Sequence, residues 1–183
     1  MSVNEIEISL PADAAALNRR LGILAVAGAP MLLIFFMFGN TDGAAAKTLQ
    51  DRIFAVTGVF YIGGWLCGAI GMRRLRATGN GFGAKAAFII QIALLGCALL
   101  FSLMETAGFN YENGGWLFAV ADAGYPLSHL FMIVVGVLVW RARVWSGLAR
   151  IAPLLVGFAL PVFFALSGGA GTTAGGFGFG LLT

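Results

Sequence analysis

Asp122, Tyr125 and His129 stand three and four residues apart, and Met132 follows three later, a spacing that places all four on one face of a helix. An acid, a phenol and the chain's one histidine are groups that relay protons and hydrogen-bond small ligands. They lie inside "WLFAVADAGYPLSHLFMIVVGVLVW", residues 116–140, a stretch apolar and long enough to cross about 30 Å of hydrocarbon. Ionisable groups at the centre of a span cost about 2.5–3.5 kcal/mol, so they turn inward and mark function. The expectation is a polar cleft, open to the outside, running from Asp122 down to His129. Glu105, at the end of the preceding apolar run, emerges on the same side and joins Asp122, Tyr125 and His129 as a ligand or proton site.

Pro126 supplies a competing structural reading. Its missing N–H frees the carbonyl of Asp122, so Asp122, Tyr125 and Ser128 also suit the repair and hydration of a bend. For His129 the structural reading is a neutral imidazole bonded to a neighbouring helix. Asp122 and His129 are seven residues, about 10 Å, apart along a helix axis. That is too far to share one ion whose ligands sit about 2 Å away. Met132 shares the face of His129, so the two cannot clasp opposite sides of one haem. No metal and no cofactor is expected.

The elements that must hold these groups follow from composition. The chain has 183 residues, 60% hydrophobic and 10% charged, with a mean hydropathy of +0.92. About a quarter charged is usual for a soluble domain. The expected fold is all-α, a polytopic transmembrane helix bundle forming one domain over 1–183. Five apolar runs give spans at about 21–39, 53–72, 86–104, 116–140 and 151–168. Residues 1–20 form an amphipathic lead-in, with Ser9 as cap, Pro11 in the first turn and Asp13 at the positive helix start. The Gly-rich run 169–183 is an apolar tail or a short sixth span. The first run exceeds the roughly 7–15 residues of a secretory h-region and reads as an anchor.

Connecting segments set the orientation. Nine of the eleven Lys and Arg residues fall on one side of the threaded chain, and only Lys47 and Arg52 on the other. The positive-inside rule then places the N-terminus in the cytoplasm, with 40–52 and 105–115 facing outward; composition suggests a bacterial source, and so a bacterial inner membrane is the expected location. This clustering reports orientation rather than a nucleic-acid face. Arg73, Arg74 and Arg76 in "RRLRATGNGFGAK", with Arg141 and Arg143 in "WRARVW", are candidate contacts for anionic lipid headgroups. The GxxxxGK[ST] phosphate loop is absent. Gly64 and Gly68 form a small-xxx-small pair for helix packing, within the bundle or against another copy or a partner subunit. Cys67 and Cys97 sit at depths that differ by about 9 Å, so no bond between them is expected.

The sequence leans away from an enzyme. No lysine lies within a span, which excludes a retinal Schiff base, and no GxSxG, HExxH or CxxC occurs. Ser128 points about 100° away from its neighbour His129 on a helix. Three readings stay open: a membrane protein binding or moving a small solute, proton or hydrophobic ligand through the cleft on the fourth helix; a structural subunit packing through its glycine faces; and a quinone- or haem-associated redox protein in which His129 and Tyr125 hold a carbonyl-bearing cofactor.

Overall fold

Apolar runs punctuated by glycine, proline and arginine become five α-helices in the computed structural model, which describes residues 12–32 and 49–166. They are α1 Ala12–Gly28, α2 Leu49–Arg74, α3 Phe82–Thr106, α4 Gly115–Ala142 and α5 Gly147–Leu166. Among the described residues there is no strand. Three helices contain stretches long and apolar enough to cross a membrane: Ala55–Arg74, Phe82–Thr106 and Gly115–Ala142. The apolar part of α5, Gly147–Val162, is shorter.

Helix ends differ from the sequence expectation for identifiable reasons. α1 carries the end of the lead-in and the start of the first apolar run in one helix, through Arg19 and Arg20. It stops at Gly28 because Pro30 disfavours helical geometry at Ala29. The caps expected at Ser9 and Pro11, residues 33–39 of the first run, 40–48 of the expected loop and the tail 169–183 lie outside the described residues; residues 49–52, expected in that loop, are helical instead. α5 begins at Gly147, ahead of the start expected at 151, and holds Pro153 and Pro161 in its interior.

The turn after α2 shows why a basic cluster can end a helix. The Ala77 N–H reaches the Met72 carbonyl and the Arg76 N–H reaches that of Arg73, while Arg76 itself adopts φ +54°. This is a Schellman turn with arginine at the left-handed position that glycine usually fills. α3 ends by the same device with glycine in place: Phe109 bonds Met104, Gly108 bonds Glu105, and Gly108 has φ +89°.

Each helix packs on its neighbour in sequence, α1 on α2, α2 on α3, α3 on α4 and α4 on α5. The α1–α2 seam is antiparallel and lined by glycine. A Cβ at Gly64 would lie 2.8 Å from the Gly28 Cα, and one at Gly28 would lie 2.8 Å from the Gly64 Cα. Further along, a Cβ added at Gly68 would lie 3.4 Å from the Cβ of Ala25 and one added at Gly71 3.9 Å from that of Leu21, and Arg74 donates to Asn18 at 2.9 Å. Gly64 and Gly68 thus admit α1 of the same chain. Both cysteine thiols, Cys67 and Cys97, are free.

Two buried layers fill the bundle. Near one end, Phe88, Met132, Val135 and Val139 pack with Met72, Trp65 and Trp145. Above them Ile62, Ala98, Tyr125 and Leu160 draw together four helices, with Tyr61 and Trp65 alongside. Trp65 joins both layers.

Candidate functional site

α4 divides its residues between two faces at the helical period. Leu117, Val120, Leu127, Leu130, Val134 and Val137 are exposed; Asp122, Tyr125, Ser128, His129 and Met132 are buried. An apolar outer face, with the helix's polar groups turned inward among Phe118, Val135 and Val139, suits a helix surrounded by lipid. The helix continues through Pro126.

The polar groups are distributed over distinct tasks. The Ser128 hydroxyl donates to the Tyr125 carbonyl at 2.7 Å, and Gln91 of α3 donates its amide to the Ser128 carbonyl at 3.2 Å. Ser128 therefore bonds the Tyr125 carbonyl and not the Asp122 carbonyl that Pro126 frees, so the repair expected of it is not the bond it makes. Asp122 has a different partner. Its carboxylate accepts the hydroxyl of Tyr111, a residue of the turn between α3 and α4. That turn is an Asx turn in which the Asn110 side chain accepts the N–H groups of Glu112 and Asn113. Tyr111 stacks its edge on Phe118, with ring centroids 5.0 Å apart.

Glu105 is half-buried at the end of α3. The Tyr111 phenol is pushed above its ordinary range, first by burial, then by its bond to Asp122 and by the negative charges of Asp122 and Glu105. Both carboxylates named from the sequence thus converge electrostatically on one phenol, and Asp122 is 7% exposed beneath it.

His129, 3% exposed, lies deeper, among aromatic rings. Its Nδ1 is 3.0 Å from the Val156 carbonyl of α5. A carbonyl only accepts, so Nδ1 carries a proton, and in the neutral ring Nε2 is left as a lone-pair acceptor. Nε2 is buried and has no partner. The ring of Trp65 lies 4.5 Å away and that of Tyr125 4.9 Å away, centroid to centroid. Tyr61 completes the cluster, 6.1 Å from Trp65 and 6.4 Å from Tyr125, and shares a hydrogen bond with Tyr125. The Trp65 indole N–H, which can only donate, is also buried without a partner.

Of the four residues chosen from the sequence, Asp122 bonds Tyr111, whose proton also feels the charge of Glu105, and Tyr125 and His129 lie against Trp65. The structure adds four residues that the sequence reading passed over. Tyr61 and Trp65 are four apart within α2, a same-face aromatic pair. Gln91 is a lone amide inside an apolar run, a recognisable polar signal within a span. Tyr111, in a polar turn, gives no such signal. Arg73, Arg74, Arg76, Arg141 and Arg143 gather where α2 and α4 end, opposite the Tyr111 turn. Arg150 folds back to donate two bonds to the Trp140 carbonyl, at 2.9 and 2.6 Å.

No group of three or more His, Cys, Asp or Glu side chains able to hold a metal occurs among the described residues. No protein-family model, curated protein or solved structure matches the chain, so the site is read from its own geometry.

Proposed function

We propose that this chain is an integral membrane protein that binds or moves a small molecule or proton through the interior polar face of α4. The observation that carries the reading is His129: a buried imidazole, tethered through one nitrogen and holding the lone pair of the other unused. A buried acceptor without a partner costs about 1–3 kcal/mol. A span that only needed packing would carry an apolar residue there. Asp122, Tyr111 and Glu105 form the polar mouth above it, and the mouth faces outward if the nine-to-two bias of basic residues orients the chain. In this reading the five helices each cross or enter the bilayer, the N-terminus is cytoplasmic, and the arginines at the opposite end meet anionic headgroups.

The subunit reading loses its main support, because the glycine face of α2 is covered by α1 of the same chain.

Native mass spectrometry of gently solubilised protein tests the binding reading. The wild type is expected to retain a small-molecule adduct that His129→Ala loses while its helical circular dichroism is unchanged. Wild-type protein that carries no adduct from any of several mild detergents overturns the small-molecule reading.

A further inference from the structure

Two buried atoms of opposite hydrogen-bonding character are left unmatched within one aromatic cluster. The Trp65 indole N–H is a donor without an acceptor, and His129 Nε2 is an acceptor without a donor. They belong to rings whose centroids are 4.5 Å apart, on α2 and α4 respectively. We propose that together they form a binding site for a neutral hydroxylated aromatic molecule, a phenol or hydroquinone headgroup, whose oxygen accepts from Trp65 and whose O–H donates to His129. This deepens the reading above and rests on it.

The donor set selects the class. The imidazole proton is fixed on Nδ1 by the Val156 carbonyl, so Nε2 rejects another lone pair. A carboxylate, phosphate or quinone carbonyl satisfies the indole but turns its own lone pairs on Nε2, which weighs against the carbonyl-bearing cofactor considered from the sequence. An ammonium group satisfies Nε2 and leaves the indole unmatched. A hydroxyl oxygen meets both from one atom, which suits two rings in contact. The surroundings select an aromatic body: Tyr61 and Tyr125 sit with their ring centroids 6.1 and 6.5 Å from that of Trp65, in tilted and edge-on geometry. Neutrality follows from burial, since both atoms are sealed from solvent. Entry requires the Trp65 ring, half-buried on α2, to swing and admit the headgroup from the bilayer side or past Tyr111. Gln91, whose Oε1 is the other unmatched buried atom among the described residues, donates from Nε2 to the Ser128 carbonyl on the α3 side of α4 and is not part of this pair.

The chain's single histidine makes the test direct. Nitrogen NMR of the isotope-labelled imidazole is recorded on the full-length protein in lipid nanodiscs, with para-ethylphenol as probe and ethylbenzene as its hydroxyl-free control. The expected result is an Nδ1-protonated ring whose Nε2 signal moves to a hydrogen-bonded position with para-ethylphenol and not with ethylbenzene. Trp65→Phe keeps an aromatic ring and removes the donor, so it should weaken the probe about tenfold, the worth of one hydrogen bond. The proposal is overturned by an unmoved Nε2 signal at saturating probe, by equal responses to the two probes, or by equal affinity in Trp65→Phe. It is also overturned if Nε2 is already hydrogen-bonded in the probe-free protein and the probe leaves it so, which assigns the pair to a trapped water. Failure of the probe alongside an adduct that depends on His129 rejects the phenolic class and leaves the broader binding reading standing.

Discussion

Tyr111 and Asp122 make the mouth of the site a titratable contact. The phenol donates to the carboxylate, and burial, that bond and the charges of Asp122 and Glu105 hold its proton on beyond the ordinary value of 10.0. When the protein unfolds, the phenol returns to that ordinary value, so above it the unfolded chain releases the proton first. The contribution of Tyr111 to stability is therefore fully present below pH 10.0 and is lost as pH rises towards the raised folded value. Thermal melting of wild type and Tyr111→Phe in the same detergent should differ by a constant amount up to about pH 9 and by a shrinking amount above about pH 10. A difference that stays level through about pH 11 would show that the phenol does not hold its proton for Asp122. This contact was half legible in the sequence. Asp122 stands out as an acid inside an apolar run, whereas nothing in "NYEN" says that Tyr111 folds back over it, because that depends on the turn after Gly108.

At the scale of helices, close approach and chain reversal have separable signatures. Gly64 meets backbone: its added Cβ would lie 2.8 Å from the Gly28 Cα and 3.0 Å from the Leu24 carbonyl oxygen. Backbone cannot rotate away, so α1 and α2 must separate, and Gly64→Ala should destabilise by about 1–3 kcal/mol. Gly68 meets only the Ala25 methyl at 3.4 Å. Gly68→Ala should be neutral or gain up to about 1 kcal/mol from helix propensity. Denaturation by sodium dodecyl sulfate resolves the two, and equal losses would mean that α1 does not lie in the Gly64 register. The sequence marked both glycines as packing residues; the ranking between them needs the partner backbone. Chain reversal gives the second pair. Arg76 and Gly108 occupy equivalent left-handed positions, where a side chain costs roughly 1–2 kcal/mol. After the greater freedom of glycine in the unfolded chain is counted, Arg76→Gly should stabilise by about 0.5–1 kcal/mol. Gly108→Ala should destabilise by about 1 kcal/mol in the same assay. Arginine stands at position 76 despite this strain, which fits selection for positive charge at that end of the bundle.

The described helices expose apolar side chains on their outer faces as well as burying them in the core, and that is why the sequence was readable at one level and not another. Hydropathy placed the fourth run, read as 116–140 and helical from Gly115 to Ala142, because lipid leaves helices as the structure that satisfies the backbone; the first run, read as 21–39, begins inside a helix that starts at Ala12 and stops at Gly28. The α4 face was readable too, since Asp122, Tyr125 and His129 share one side by spacing and are all buried. What spacing within one helix cannot supply is the partner across the bundle. Trp65 meets His129 only because α2 packs beside α3 and α3 beside α4, bringing a residue 64 positions away in sequence into ring contact. The same antiparallel order sorts the charges. Arg73, Arg74 and Arg76 after α2 and Arg141 and Arg143 after α4 share one end, and Tyr111 and Glu112 lie at the other. If that asymmetry sets orientation, the two ends must differ in access. With Cys67 and Cys97 replaced by alanine, Glu112→Cys should react with a membrane-impermeant maleimide added to intact cells. Arg143→Cys should react only after the membrane is opened. Reversed labelling would put the Tyr111 mouth in the cytoplasm, and any ligand of the His129 layer that enters from water would then have to come from there. Labelling of both positions in intact cells would mean that α4 does not cross the bilayer, and the buried polar face would need a reason other than lipid on its far side.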